Sequence, residues 1–316
     1  MPVLDTDAPL APPLGTPEPN PFEGVDFGRL ERSLQRPRTL FSLLMSLVVT
    51  AMTLLALIPL FSVLWMLFWR GGRKLSAALF TQLPPAPLEQ GGGFGNAIAG
   101  TLIMVGLAAL LSVPFGILTA VFLAQARPEN RLANAARFAA KVLTGFPSIL
   151  AGVFAYGTVV LITGGFSAVA GGLALAILML PTVMLTAEDA VRMVPEKMKE
   201  AAIGMGATNT QTVWMVLLPT AMPGILTGVM LAVARAAGET APLLFTALFS
   251  NYWPTRGAHL ALMQPTASLA VLIYNFAGMP FENQVEMAWA AALVLVLLVL
   301  VVNLIGQSLS RRQVQQ

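Results

Sequence analysis

Residues 142–187 form a run of 46 positions without Asp, Glu, Lys or Arg. The hydrocarbon core of a bilayer is about 30 Å thick, and a helix crosses it with about 20 apolar residues. The run therefore accommodates two crossings joined by a tight turn. Thr163-Gly164-Gly165 and Gly171-Gly172 are the breakers available to hold that turn. Four further uncharged runs cover residues 40–69, 90–126, 201–234 and 287–310. The expected architecture is an all-α integral membrane domain of about six spans, near residues 40–69, 98–123, 142–162, 168–187, 213–234 and 287–309. Composition agrees: charged residues make up 10% of the chain, where soluble proteins average about 25%. So few charges cannot cover a water-soluble body of this size, which excludes a soluble enzyme. The chain has no cysteine and one histidine, His259. Disulfides, thiolate metal sites and histidine clusters are thereby excluded, and no metal or cofactor is expected.

Lys and Arg near the span ends set orientation. Arg29, Arg32, Arg36, Arg38, Arg127, Arg131, Arg137, Lys141, Arg192, Lys197, Lys199, Arg311 and Arg312 share one side. Arg70, Arg73, Lys74 and Arg256 lie on the other. The bias predicts that both termini are cytoplasmic. Residues 1–38 hold eight prolines and six acids and read as a disordered cytoplasmic tail. Trp65 and Trp69 suit the outer aromatic belt. The loop at 251–286 faces outward, and its apolar stretch 267–276 is too short to span. That stretch reads as a helix started by Pro265, lying on or dipping into the membrane. Glu282, Glu286 and His259 read as solvated.

The cytoplasmic segment 188–212 reads as helix, glycine turn, helix. Pro195 suits a first helical position and Glu196 the first turn. Gly204 and Gly206 then break the pattern. Thr208 with Gln211 three residues on is a capping box that starts the next helix. Glu200, Ala201 and Ala202, then Gly206, Val216, Leu218 and Pro219, resemble the EAA signature of prokaryotic ABC-importer permeases, with Val216 in place of Ile. The resemblance implies the type I importer permease fold and a coupling helix that docks on a separate ATPase subunit. No phosphate-loop pattern occurs in the chain, so any ATP hydrolysis falls to another subunit.

Arg235 and Glu239 follow about 22 residues of the fifth span and precede the apolar Ala241 to Phe245. A lone charge at mid-membrane costs about 2.5–3.5 kcal/mol on insertion scales. Four residues apart on a helix, the two charges can neutralise each other or flank one polar path. A guanidinium fork suits an oxyanion, because it offers two parallel hydrogen bonds. The rival is a structural ion pair. The segment from Arg235 through Thr240 to Leu243 resembles the PstA-type phosphate permease subunits. Gly145-Phe146-Pro147-Ser148-Ile149 and Gly93-Phe94-Gly95-Asn96-Ala97-Ile98 resemble the same family. That resemblance implies a bacterial inner-membrane subunit whose Arg235 and Glu239 are important for moving phosphate; Thr240, next in the chain, is assigned to the same pathway. It implies four partners: a PstC-like second permease, a PstB-like ATPase pair, a PstS-like phosphate-binding protein and the lipid bilayer. It implies no nucleic-acid partner. Molybdate, sulfate or phosphonate remain alternative cargoes. A self-powered symporter or channel and a phosphate-sensing scaffold are rivals of other classes.

Thr220, Gly224, Gly228, Ala232 and Ala236 recur at every fourth position. Gly224 and Gly228 suit close helix packing, either within the chain or across a dimer. Pro114, Pro147, Pro181, Pro219 and Pro223 fall in or at the ends of spans. Membrane helices simply carry more proline, and that reading is preferred for any single one; Pro147 is the first to test as a hinge.

Overall fold

The computed structural model describes residues 37–256 and 259–314. The expected tail lies outside these residues, except that Pro37 and Arg38 open the first helix. The chain divides into two units, Met1–Ser62 and Val63–Gln316. Most of α1 (Pro37–Met66) belongs to the first. Apart from Arg38 and scattered Ser and Thr residues it is apolar, and its Thr50 and Thr53 hydroxyls donate to carbonyls one turn back, at Ser46 and Val49.

The second unit begins at the end of α1, which passes into a π-helical turn, Leu67–Gly71. There follow α2 (Ala78–Thr81), α3 (Gly95–Gln125), α4 (Arg131–Gly145) and α5 (Ser148–Ala155). A second π turn, Tyr156–Val160, joins α5 to α6 (Leu161–Thr163). Next come α7 (Ala168–Arg192), α8 (Glu196–Gly204) and α9 (Asn209–Thr212). A third π turn, Val213–Leu217, leads into α10 (Leu218–Gly238). The chain ends with α11 (Ala241–Leu244), α12 (Leu269–Ala277) and α13 (Glu282–Val314). Between α11 and α12, Thr255 and Arg256 pair antiparallel with Leu260 and His259.

Among the described residues five helices are long and apolar enough to cross a membrane, and a bent pair makes a possible sixth. In the most apolar stretch of α7, 67% of residues are buried, against 28% in α3. α7 is thus the central helix, with α3, α4, α5 and α10 packed round it. Small residues let the helices approach. A Cβ on Gly116 would lie 2.7 Å from Val183, and one on Gly172 would lie 2.8 Å from Leu107.

Several sequence expectations change. The third span is not a straight helix over 142–162: α4 and the α5–α6 segment meet at 106°. Pro147 disfavours helical backbone at Phe146, which is extended at φ −71°, ψ 140°. The turn before α7 uses only the first expected breaker, Gly164, at φ +74°. Gly171 and Gly172 lie inside α7, packed on Met104 and Leu107 of α3. The fourth span runs on past 187 to Arg192, because nothing between Ala187 and Met193 breaks it, so the loop is shorter than 188–212. The fifth helical stretch begins at Asn209, not near Val213, and continues to Gly238. Its π turn precedes Pro219, which has no amide to bond one turn back; the Leu218 amide donates to the Val213 carbonyl.

The segments expected to face outward are more ordered than their composition suggests. α12 is capped by Ser268, whose hydroxyl accepts from the Val271 amide at 3.2 Å, so Pro265 does not start it. Leu269, Val271 and Leu272 are buried within the protein, not laid on its surface. The Leu269 amide donates to the Thr101 hydroxyl of α3 at 2.9 Å. Glu286 is not simply solvated: it pairs with Lys74 at 2.7 Å. Arg73 sits over the Trp69 ring and Arg70 over Trp289. Three of the four cations that oppose the charge bias, Arg70, Arg73 and Lys74, thus have local partners.

Candidate functional site

Arg235 occupies the last turn of α10, where a cation complements the helix dipole. The helix stops at Gly238. Glu239 is extended at φ −73°, ψ 128°, and its amide donates to the Ala236 carbonyl at 3.2 Å. The pair is therefore not on one helix face as its spacing suggested. The side chains still meet, with Arg235 Nε 3.4 Å from Glu239 Oε1. Arg235 is 45% exposed and Glu239 16%. Thr240 is half-buried, and its carbonyl accepts from the Leu243 amide at the start of α11. A span-length helix thus breaks at a charged residue and resumes as one short turn. Such interruptions at membrane depth are where transporter folds place binding groups.

The stripe on α10 resolves by neighbour. Gly224 packs on Ala190, and a Cβ on Gly228 would collide with the Thr186 hydroxyl. Ala232 and Ala236 are buried, whereas Thr220 is exposed. The two glycines therefore pack within the chain, against α7. One position before the stripe, Thr227, Leu231 and Arg235 are all exposed and share a second face.

α5 closes one side of the break. A Cβ on Gly152 would lie 2.6 Å from the Cα of Pro242, so α5 and α11 are in backbone contact. The segment after Gly145 and the segment after Arg235 are thereby brought together. The third family-like segment lies elsewhere. Asn96, at the start of α3, is fully buried and donates to the Ser250 carbonyl at 2.8 Å.

The segment between α7 and α10 has the expected form. Gly206 takes φ +90°, its amide donates to the Ile203 carbonyl, and the Ala207 amide donates to the Ala202 carbonyl. This is a Schellman closure of α8 with glycine in the left-handed position. The capping box is complete: Thr208 N donates to Gln211 Oε1 at 2.8 Å, and Gln211 N to Thr208 Oγ1 at 3.3 Å. Ala202 is buried, whereas Glu200, Ala201 and Gly206 are exposed. Ile203 and Met205 are exposed as well, Met205 at 84%. The result is a knob with an apolar tip. Leu218 is buried and Pro219 exposed where the π turn meets α10.

The sequence reading missed a second charged cluster. Glu188 on α7 is 4% exposed. Its Oε1 accepts from Arg137 Nε of α4 at 2.7 Å and pairs with Arg192 Nη2 at 2.8 Å. Arg137 also donates to the Leu123 carbonyl at 2.6 Å and to Asn134 at 3.0 Å. The one available signal was the Glu188–Arg192 spacing of four on an unbroken helix. Beside the cluster lies a cavity of about 430 Å³, lined in part by Arg137, Arg192, Pro195, Glu196 and Lys199. No group of three or more His, Asp or Glu among the described residues is placed to hold a metal ion.

Residues 112–315 match the family described as binding-protein-dependent transport system inner membrane component. The chain is 39% identical over 265 residues to the phosphate transport system permease protein PstA of Yersinia pestis, covering 83% of this chain and 88% of that protein. It is 40% identical over 251 residues to PstA of Haemophilus influenzae, covering 78% and 87%. Among solved structures, a bacterial alginate ABC transporter matches with TM-score 0.61 at 17% identity, over 85% of this chain and 94% of that one. An inward-facing MetNI methionine ABC transporter matches with TM-score 0.52 at 23% identity, over 69% and 93%. These structural likenesses carry the fold alone.

Proposed function

The chain belongs to the binding-protein-dependent transport system inner membrane components, within their PstA-type permeases, and on that basis we propose that it forms half of the phosphate pathway of an ATP-driven importer. The observation that carries the site is Arg235: a guanidinium on an exposed face, at a helix break, held by one long contact to Glu239. A pathway group must be stable without substrate and free to leave its partner when substrate arrives. Arg235 has most of its donors uncommitted, and its fork matches the oxygens of phosphate. Glu239 balances the charge and, as an acceptor, suits an anion that still carries a proton. Thr240 adds a hydroxyl beside them. The face shared by Thr227, Leu231 and Arg235 is where a PstC-like second permease completes the pathway.

The knob of α8 is the docking element for a PstB-like ATPase pair. Ala201 and Ala202 keep its profile low, Gly206 turns the chain, and Leu218 with Pro219 roots it in α10. Hydrolysis belongs to those subunits. A PstS-like binding protein delivers phosphate from outside, and both termini lie in the cytoplasm of a bacterial inner membrane.

The test is phosphate uptake in cells lacking this gene, complemented at matched membrane levels. Wild type is expected to restore uptake, Arg235→Gln to abolish it, and Arg235→Lys to leave a small fraction. Failure of wild type to restore uptake overturns the cargo. Full uptake by Arg235→Lys overturns the bidentate role.

A further inference from the structure

The Arg137–Glu188–Arg192 cluster lies between the docking knob and the helix break. We propose that Glu188 and Arg137 are positioning residues that carry displacement of α8 to the break at Glu239. The inference rests on the reading of α8 as the ATPase-docking element.

Only Met193 and Val194 separate the end of α7 from Pro195. Both amides bond back into α7, to Asp189 at 3.1 Å and Val191 at 3.3 Å. The connection has no slack, so α8 cannot move far without pulling on the last turn of α7. That turn holds Arg192 and, one turn earlier, Glu188. The buried carboxylate binds guanidiniums from two different elements on a single oxygen. Its outer partner Arg192 is 50% exposed, whereas Arg137 is 17% exposed. Pulling on the turn loosens the outer contact first and loads the inner one. Arg137 then passes the load to two places. One is the Leu123 carbonyl, among the last of α3 and without a partner in its own helix. The other is α4 itself.

α4 ends at the Phe146–Pro147 corner and continues as α5. Gly152 of α5 rests on the backbone of Pro242, three residues past Glu239. Packed backbone contacts of this kind shift as units and do not compress. The cavity of about 430 Å³, lined by Pro195, Glu196 and Lys199 on one side and Arg137 on the other, gives α8 room for the stroke. The route from knob to pathway therefore consists of α8, Arg192, Glu188, Arg137, the α4–α5 corner and Pro242.

The test is the ratio of phosphate moved to ATP hydrolysed in the full reconstituted complex, with phosphate-loaded binding protein. Arg137→Gln and Glu188→Gln are each expected to cut the ratio at least tenfold while hydrolysis continues and no longer responds to the binding protein. The double variant is expected to be no worse than either single one, as for residues acting through one contact. Arg137→Lys keeps the charge but not the fork, and is expected to be intermediate. A cluster that merely staples the fold lowers transport and hydrolysis together, and an unchanged ratio overturns the proposal. If the Gln variants do not assemble, Arg192→Gln replaces them: a partial loss of ratio supports the proposal and an unchanged ratio overturns it. Met205→Glu on the knob separates the two readings. If that variant still binds and couples the ATPase, the docking reading fails and the proposal with it. If it uncouples while the cluster variants do not, the cluster proposal alone fails.

Discussion

Among the described residues, the charged clusters at Glu188 and at Glu239 are built oppositely. At Glu188 one carboxylate oxygen holds two guanidiniums at 2.7 and 2.8 Å, with the acid 4% exposed. At Glu239 the one contact is 3.4 Å long and the arginine is nearly half exposed. Sequence spacing presents them alike, since Glu188–Arg192 and Arg235–Glu239 are both four apart. The difference is the third partner. Arg137 arrives from a different helix and saturates the first cluster, while the second keeps its donors free. Saturated charges hold elements in place; unsaturated ones at a helix break are available to a passing anion.

The strongest way to break this contrast is to remove the shared carboxylate. Glu188→Ala leaves Arg137 without its anion in a mostly buried site, which typically costs about 3–5 kcal/mol. Arg192 stays solvated, so the lower end is expected. Thermal unfolding of the purified chain in detergent checks it. A loss below about 1 kcal/mol, the range of exposed pairs, would make the two clusters equivalent.

Next in size is a change on α10 that leaves both clusters intact. Gly228→Ala drives a methyl into the Thr186 hydroxyl of α7. Overpacking of this kind costs about 1–3 kcal/mol. At Gly238, beside the open pair, nothing lies within 4 Å of the new methyl, and the same substitution is expected to leave the isolated chain's stability unchanged. Equal losses at the two glycines would show that the Arg235 side of α10 is packed after all. Smaller again is Gly206→Ala, where a left-handed φ of +90° costs an L-residue about 1–2 kcal/mol. Its signature is weaker ATPase binding with the transmembrane helices intact, read by co-purification.

How much of this was legible follows from range along the chain. The Thr208–Gln211 box spans three residues, and its geometry is fixed by helix start chemistry alone, so it formed as read. Gly164 likewise turned the chain where an apolar run had to reverse. Gly171 and Gly172 carried the same letter with another purpose, because their reason is Met104 and Leu107, far off in sequence. Arg137 and Glu188 are 51 positions apart, and no periodicity links an arginine in a basic loop to an acid at a helix end. The 106° corner at Pro147 was half legible. Proline announced a break, but its angle depends on how α4 packs on α7. Arg235 was found because a charge inside an apolar run is costly; its exposure was not, since that depends on which face α7 covers.

The smallest expected stability effect is at Arg235 itself, and it sharpens the contrast most. Arg235→Gln removes one long contact from an exposed side chain, and such pairs contribute at most about 1 kcal/mol. The purified chain should melt almost as wild type does, while uptake is lost. Glu188→Ala should show large losses in both. If Arg235→Gln instead destabilises the chain as strongly as Glu188→Ala, then Arg235 is a structural anchor. The open geometry would then mark a partner contact within the assembly, and the pathway would have to be sought on another face.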